Sequence, residues 1–208
     1  MSECILIRHA QTDWNKRKVF RGRAEVELNR TGIRQAEKTS TLLAELPIEI
    51  IYTSPLKRAS ITAQILTRPH HDLKIKEVPE LIDIDYGEWQ GVSEDDVKNT
   101  KIYSDWITRP EIVKFPGGES LEDVKNRVIP VFEEIVRTTN LSIIVTHRVV
   151  IKILLLHIMG LPLSSFWNVK QDPCGITRVE FINNKFIIQS LNETHHLYKP
   201  SRELKEDF

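Results

Sequence analysis

Two cysteines, Cys4 and Cys174, are all the thiols this 208-residue chain has, and they stand far apart. A disulfide framework needs more, so a reducing compartment, by default the cytoplasm, is expected. An excess of charge of one sign is also missing, because 29 Lys+Arg offset 29 Asp+Glu. That balance speaks against a general nucleic-acid binder and leaves room only for a local positive pocket. No apolar run approaches the ~18 residues of a membrane span. The first apolar run begins almost at once, without the basic region or cleavage site of a signal peptide. Internal repeats and low-complexity linkers are absent, so residues 1–208 are expected to form one domain, long enough to bury its own core. The histidines lack metal-site spacing. His70-His71 adjoins Pro69 in a loop and His195-His196 opens the tail, with no spaced Cys or His partner, so both pairs are expected in solvent.

What is present is an alternation of apolar runs and helical patterns, the mark of an α/β layered fold. Cys4-Ile5-Leu6-Ile7 predicts a buried strand. From Thr31 to Leu46, the positions Ile33, Ala36, Leu42, Leu43 and Leu46 give a helix one apolar face, with Asn29 at its start and Pro47 at its end. Ile48–Tyr52 predicts a second strand, and residues 56–67 a helix carrying Arg58. Leu81–Tyr86 is expected to be extended up to Gly87. Short helices are expected over about 92–118, above the sheet. Ser120 and Asp123 announce a long helix to about Thr139. Ser142–Thr146 predicts the most buried strand, followed by a helix from about Val149 to Met159, stopped by Gly160. Thr177–Ile182 and Lys185–Leu191 flank Asn183-Asn184 as a hairpin. The charged tail 195–208 is expected to be mobile. Trp14, Trp89, Trp106 and Trp167 are expected to pack the core or the rim of a cleft.

Three strands end in residues that carry chemistry: Arg8-His9, Ser54 to Arg58, and His147. Open α/β sheets bind ligands at the carboxyl ends of their strands, so these residues are expected to converge. Arginine offers a planar fork matched to phosphate oxygens. Phosphoryl transfer asks mainly for positioning and charge stabilisation. Guanidinium neighbours keep an imidazole neutral and therefore nucleophilic. The residues alone thus point to a phosphatase working through a phosphohistidine on His9.

At these residues the chain resembles the histidine phosphatase superfamily, branch 1, the phosphoglycerate-mutase-like fold. Arg8-His9-Ala10-Gln11-Thr12 and Trp14-Asn15 match its R-H-G-x-T-x-W-N signature. The likeness continues through Arg21-Gly22, Leu28, Thr31-Gly32, Gln35-Ala36, Ser54–Ala59, Thr62-Ala63, Tyr86–Gly91, Pro116–Ser120 and Thr146-His147, in the family's order. The resemblance implies a three-layer αβα sandwich with a mostly parallel central sheet. It implies His9 as the nucleophile, with Arg8, Arg58 and His147 binding phosphate and stabilising the transition state. Asn15 would reach the same anion, and Gly22 would let backbone approach the substrate. The family's proton donor is usually a glutamate at the position that is Asp83 here, with Asp85 and Glu88 as competitors. The expected partner is a small-molecule phosphate ester, with no metal, no cofactor, no nucleic acid and no membrane. Relatives are monomers or dimers, so one of those states is expected.

Two departures from the family pattern bear on the substrate. Arg148-Val149-Val150 follows His147 where the family often has glycines, so Arg148 is expected either on the pocket rim or paired on the surface. Arg21 stands where relatives often carry a small or amide side chain, and an added cation there favours substrates with a second anionic group. One alternative activity is the cofactor-dependent phosphoglycerate mutase of the same superfamily, which the short stretch 92–115 disfavours. Another is a non-catalytic module that binds phosphorylated ligands. Neither composition nor resemblance names the physiological substrate.

Overall fold

The computed structural model describes residues 1–198. One six-stranded sheet organises it, in the order β3-β2-β4-β1-β5-β6. The strands are β1 (Ser2–Arg8), β2 (Ile50–Thr53), β3 (Lys74–Glu77), β4 (Leu141–Thr146), β5 (Ile176–Ile182) and β6 (Lys185–Glu193). β3, β2, β4 and β1 run parallel, and β5 and β6 add an antiparallel edge. This is the expected α/β sandwich with a mostly parallel central sheet.

Alternation along β1 shows how the layers form. Ile5 and Ile7 face one side, packing with Leu43 of α2 (Arg30–Leu43) and with Ala59, Ala63 and Leu66 of α3 (Lys57–Leu66). Cys4 and Leu6 face the other, toward Val128 and Phe132 of α6 (Leu121–Thr138) and Leu154 of α7 (Arg148–Met159). Both ends of α6 and α7 that the sequence marks are used. Ser120 and Asp123 form a capping box, and Gly160 closes α7 in the left-handed conformation at φ 65°. Asn183 and Asn184 have φ of 51° and 60°, the pair of positive values a two-residue hairpin turn needs.

Several expectations change. Leu42 is exposed, so the buried stripe of α2 runs through Gly32, Ala36, Thr39, Ser40 and Leu43. β3 was not expected. Its Lys74, Lys76 and Glu77 are exposed and only Ile75 is half-buried, a charged outer strand that deters pairing with other chains. Leu81–Tyr86 is not a strand: a single 3₁₀ turn, Pro79–Leu81, leads into irregular backbone. The short helices α1 (Asp13–Lys16), α4 (Glu94–Val97) and α5 (Lys101–Thr108) complete the set, the last two in the expected excursion.

That excursion closes over an aromatic cluster. Trp106 is buried with its ring 5.2 Å from those of Phe115 and Phe166 and 5.3 Å from that of Trp167. The start of the tail is docked. Residues His195–Leu197 form a 3₁₀ turn on α2, where Lys38 Nζ donates to the Leu197 carbonyl at 2.6 Å. His196 is accordingly not a solvated histidine, since its Nε2 lies 2.9 Å from Thr39 Oγ1. The rest of the expected mobile tail, from 199, lies outside the described residues.

Candidate active site

The parallel ladder puts three strand ends side by side. Arg8 pairs with Thr146, and Thr53 with Val145. The ladder bonds run on past the strands: His9 N–H donates to the Thr146 carbonyl at 2.8 Å and Ser54 N–H to the Val145 carbonyl at 3.0 Å. His9, Ser54 and His147 therefore meet, and the two imidazole centroids are 5.3 Å apart.

Hydrogen bonding fixes which nitrogen of each ring is available. His9 Nδ1 is 2.7 Å from the Ala10 carbonyl, which can only accept, so Nδ1 carries the proton and Nε2 keeps a lone pair. That Nε2 is buried and has no partner. His147 Nε2 is 2.7 Å from Ser54 Oγ, and its Nδ1 faces Asp83 Oδ2 at 3.6 Å. A carboxylate beside Nδ1 favours the proton there, which makes the Ser54 hydroxyl the donor to Nε2. Both rings are driven well below the ordinary imidazole range, first by burial and next by the Arg58 guanidinium. Both are neutral near pH 7.

Arg58 is fully buried on α3. It donates to the Gly22 carbonyl at 2.6 Å, the Ala24 carbonyl at 2.8 Å and Asp83 Oδ2 at 3.1 Å. Gly22 thus serves Arg58 through its carbonyl, and it sits at φ +50°, where a side chain is strained and a Cβ would stand 3.1 Å from Gln90 Oε1 and from the Ile84 carbonyl. Arg8 donates through Nη1 to the Gln171 carbonyl at 2.7 Å and leaves Nε unpartnered. Its proton is held well below the usual guanidinium range, by burial and then by Arg21 and Arg148. Arg21 is lowered to about 10 for the same leading reason, with Arg148 and Arg58 adding to it. Cations crowded together in low dielectric favour the binding of an anion.

Of the three candidate acids, Asp83 faces this cluster. It is 5% exposed, with Oδ2 toward Arg58 and His147 and Oδ1 accepting from Ile84 N–H. Asp85 instead accepts from Gly87 N–H and pairs with Arg23, and Glu88 is exposed. Asn15 spends its Oδ1 on the Thr12 backbone and hydroxyl, each at 2.8 Å, so its NH₂ is what it can offer a ligand.

Above these groups opens a cavity of about 480 Å³ whose lining includes Arg8, Asn15, Arg21, Asp83, Tyr86 and Arg148. Arg148 is on the rim, its guanidinium 5.6 Å from the Trp167 ring centroid. Tyr103, Trp106 and Trp167 supply an apolar wall. Among the described residues, no three His, Cys, Asp or Glu side chains gather as a metal would require. The sequence places Ser54 at a strand end without giving it a role of its own, and one further group carries no mark there. Arg127 sits 44 residues beyond Asp83, on a helix where charge ordinarily means a solvated face, yet it donates to the Asp83 carbonyl.

Buried arginines around an unpartnered imidazole nitrogen, at the carboxyl edge of parallel strands, make an arrangement suited to phosphoryl transfer. The histidine phosphatase superfamily (branch 1) model matches residues 4–194, and the chain belongs to that family. It is similar to phosphoserine phosphatase 1 of Hydrogenobacter thermophilus, 32% identical over 201 residues, with 95% of each chain covered. The structure is similar to that of phosphoserine phosphatase from Entamoeba histolytica in complex with 3-phosphoglyceric acid, at TM-score 0.85 and 25% identity, covering 95% of this chain and 100% of that one. A 2,3-bisphosphoglycerate-dependent phosphoglycerate mutase of Cytophaga hutchinsonii is 35% identical over 133 residues, 62% of either chain. Whole-length similarity thus runs to phosphatases and partial similarity to mutases. The chain is a phosphoric monoester hydrolase.

Proposed function

We propose that this enzyme hydrolyses small phosphomonoesters in two steps through His9. The His9 Nε2 lone pair attacks phosphorus, the P–O ester bond breaks as the P–N bond forms, and the departing alkoxide takes a proton from Asp83. In the second step Asp83 takes a proton from water, whose oxygen displaces Nε2 and releases inorganic phosphate. Arg8, Arg58, the Nδ1–H of His147 and the NH₂ of Asn15 bind the phosphoryl oxygens in both steps. The observation that carries this reading is the buried, unpartnered Nε2 of His9 among those cations.

The substrate class we favour is a phosphorylated carboxylic acid of about phosphoserine's size. Arg21 supports it, because its Nε has no partner and it lines the cavity next to Arg148. A panel of phosphate esters, with and without chelator, tests the whole reading. Activity should survive chelation, be blocked by vanadate and vanish in His9→Ala. Paired esters with and without a carboxylate test the class: Arg21→Ala should penalise the acidic member more, and equal losses would remove Arg21 from substrate recognition. Rates of isomerisation and hydrolysis on 3-phosphoglycerate separate phosphatase from mutase. We place the enzyme in the cytoplasm on its two buried free thiols, and read it as a monomer or homodimer. Cell fractionation and sedimentation check those two points.

A further inference from the structure

The irregular backbone that presents Asp83 is held chiefly by a side chain from helix α6, which is remote in sequence. Arg127, on the second turn of α6, donates through Nη1 to the carbonyls of Glu80 at 2.5 Å and Ile82 at 2.9 Å. Its Nη2 donates to the Asp83 carbonyl at 3.1 Å and to Glu119 Oε2 at 3.0 Å, and its Nε to Glu119 Oε1 at 2.9 Å. All five N–H groups of the guanidinium are thereby used. Glu119 locks the other end of the segment, since its Oε2 accepts from Asp85 N–H at 3.0 Å and its own N–H donates to the Asp85 carbonyl at 2.9 Å. The clamp is shielded, with the Arg127 and Glu119 side chains 18% and 17% exposed. It lies outside the cavity lining.

We infer that Arg127, oriented by Glu119, is a positioning residue that sets how far the Asp83 carboxyl reaches toward the leaving-group oxygen. The inference rests on Asp83 being the proton donor. Aspartate has one methylene less than glutamate, so its reach depends on where the backbone stands. No β-ladder holds that backbone, and three of its carbonyls answer to one guanidinium. A shift of about 1 Å in such a group costs a catalyst heavily. Lysine at position 127 keeps the charge but has three donors in place of five and cannot form the bidentate contact with Glu119.

The test is the single-turnover rate of phosphoryl transfer to the full chain from two esters. One is p-nitrophenyl phosphate, whose phenolate leaves without a proton, and the other is the best alkyl phosphate from the panel. The quantity read is the ratio of the two rates, which is independent of the fraction of a variant that folds. Arg127→Lys and Glu119→Gln should slow the alkyl ester by about 10-fold or more, part of the 10²–10⁴-fold a general acid supplies, and the nitrophenyl ester by less than about 3-fold. Substrate concentration at half-maximal rate should hardly change. Loss of equal size on both esters, or none on either, would overturn the inference. Asp83→Asn separates the two layers of the argument. If it shows strong selectivity and Arg127→Lys shows none, the positioning role alone fails. If Asp83→Asn is itself unselective, the proton-donor assignment fails, and this inference with it.

Discussion

The proposed active site has two halves built on different principles. The phosphate-binding half grows out of the sheet: His9, Ser54 and His147 stand at the ends of β1, β2 and β4, and the ladder's own hydrogen bonds place them. The proton-transfer half is a loop. Asp83 sits on backbone with no strand partner, held by Arg127, by Glu119 and by the Thr146 hydroxyl donating to the Leu81 carbonyl at 2.6 Å. Geometry set by a parallel ladder is shared among many bonds, and losing one moves little. Geometry set by a few side chains concentrates the risk in each. The nucleophile should therefore tolerate changes around it, while the acid should be sensitive to residues well away from the cavity.

The comparison can be broken at several points. His9→Ala removes the proposed nucleophile, and turnover should fall by roughly 10⁴-fold or more on every ester alike, nitrophenyl included. Steady-state kinetics check this, and selective loss on alkyl esters alone would mean that His9 acts through the acid. Arg58 joins the halves, touching Asp83 and the carbonyls that frame the phosphate site. Arg58→Met should cost about 10²–10³-fold in kcat and lower the melting temperature, because the Gly22 and Ala24 carbonyls and Asp83 lose their buried donor. A purely kinetic effect with unchanged melting would contradict the burial argument.

Ser54→Ala tests the sheet-built half more gently. His147 loses the donor at Nε2 but keeps its place at the end of β4, so we expect about a 10-fold loss in kcat with about 1–2 kcal/mol in stability. A loss as large as that of Arg58→Met would show that the ladder does less than claimed. The burial of both rings is tested by pH dependence. Below about pH 6.5 the unfolded chain protonates its histidines while the buried rings of His9 and His147 stay neutral. Stability should be flat in this respect above pH 6.5 and fall below it, by up to about 1.4 kcal/mol per pH unit for each ring. His147→Asn should flatten that decline in a denaturation series, and an unaltered slope would place the proton uptake elsewhere.

The same division explains what could be read from the amino acids. Strand ends are legible because an apolar run announces its own stop, and Arg8-His9, Ser54 and His147 all follow such runs. Helix ends were legible through Ser120, Asp123 and Gly160, each of which makes the contact its chemistry predicts. Leu81–Tyr86 was misread because Leu81, Asp83, Ile84 and Tyr86 are all buried, and burial in a clamped loop leaves an apolar pattern much like that of a strand. β3 was missed for the opposite reason, an edge strand that carries charge. Arg127 left little local signal, since three of its partners are carbonyls 44 to 47 residues away and only the Glu119 carboxylate is near in sequence. Backbone acceptors have no letter in a sequence.

The central claim is that phosphorus passes through the Nε2 atom of His9. Mixing enzyme with a labelled phosphate ester, quenching within the first turnover and mapping the label tests it most directly. The account predicts up to one acid-labile, base-stable phosphate per chain, located on His9 and absent from His9→Ala. Label on a carboxylate or a hydroxyl, or hydrolysis at full rate with no label at any quench time, would contradict it.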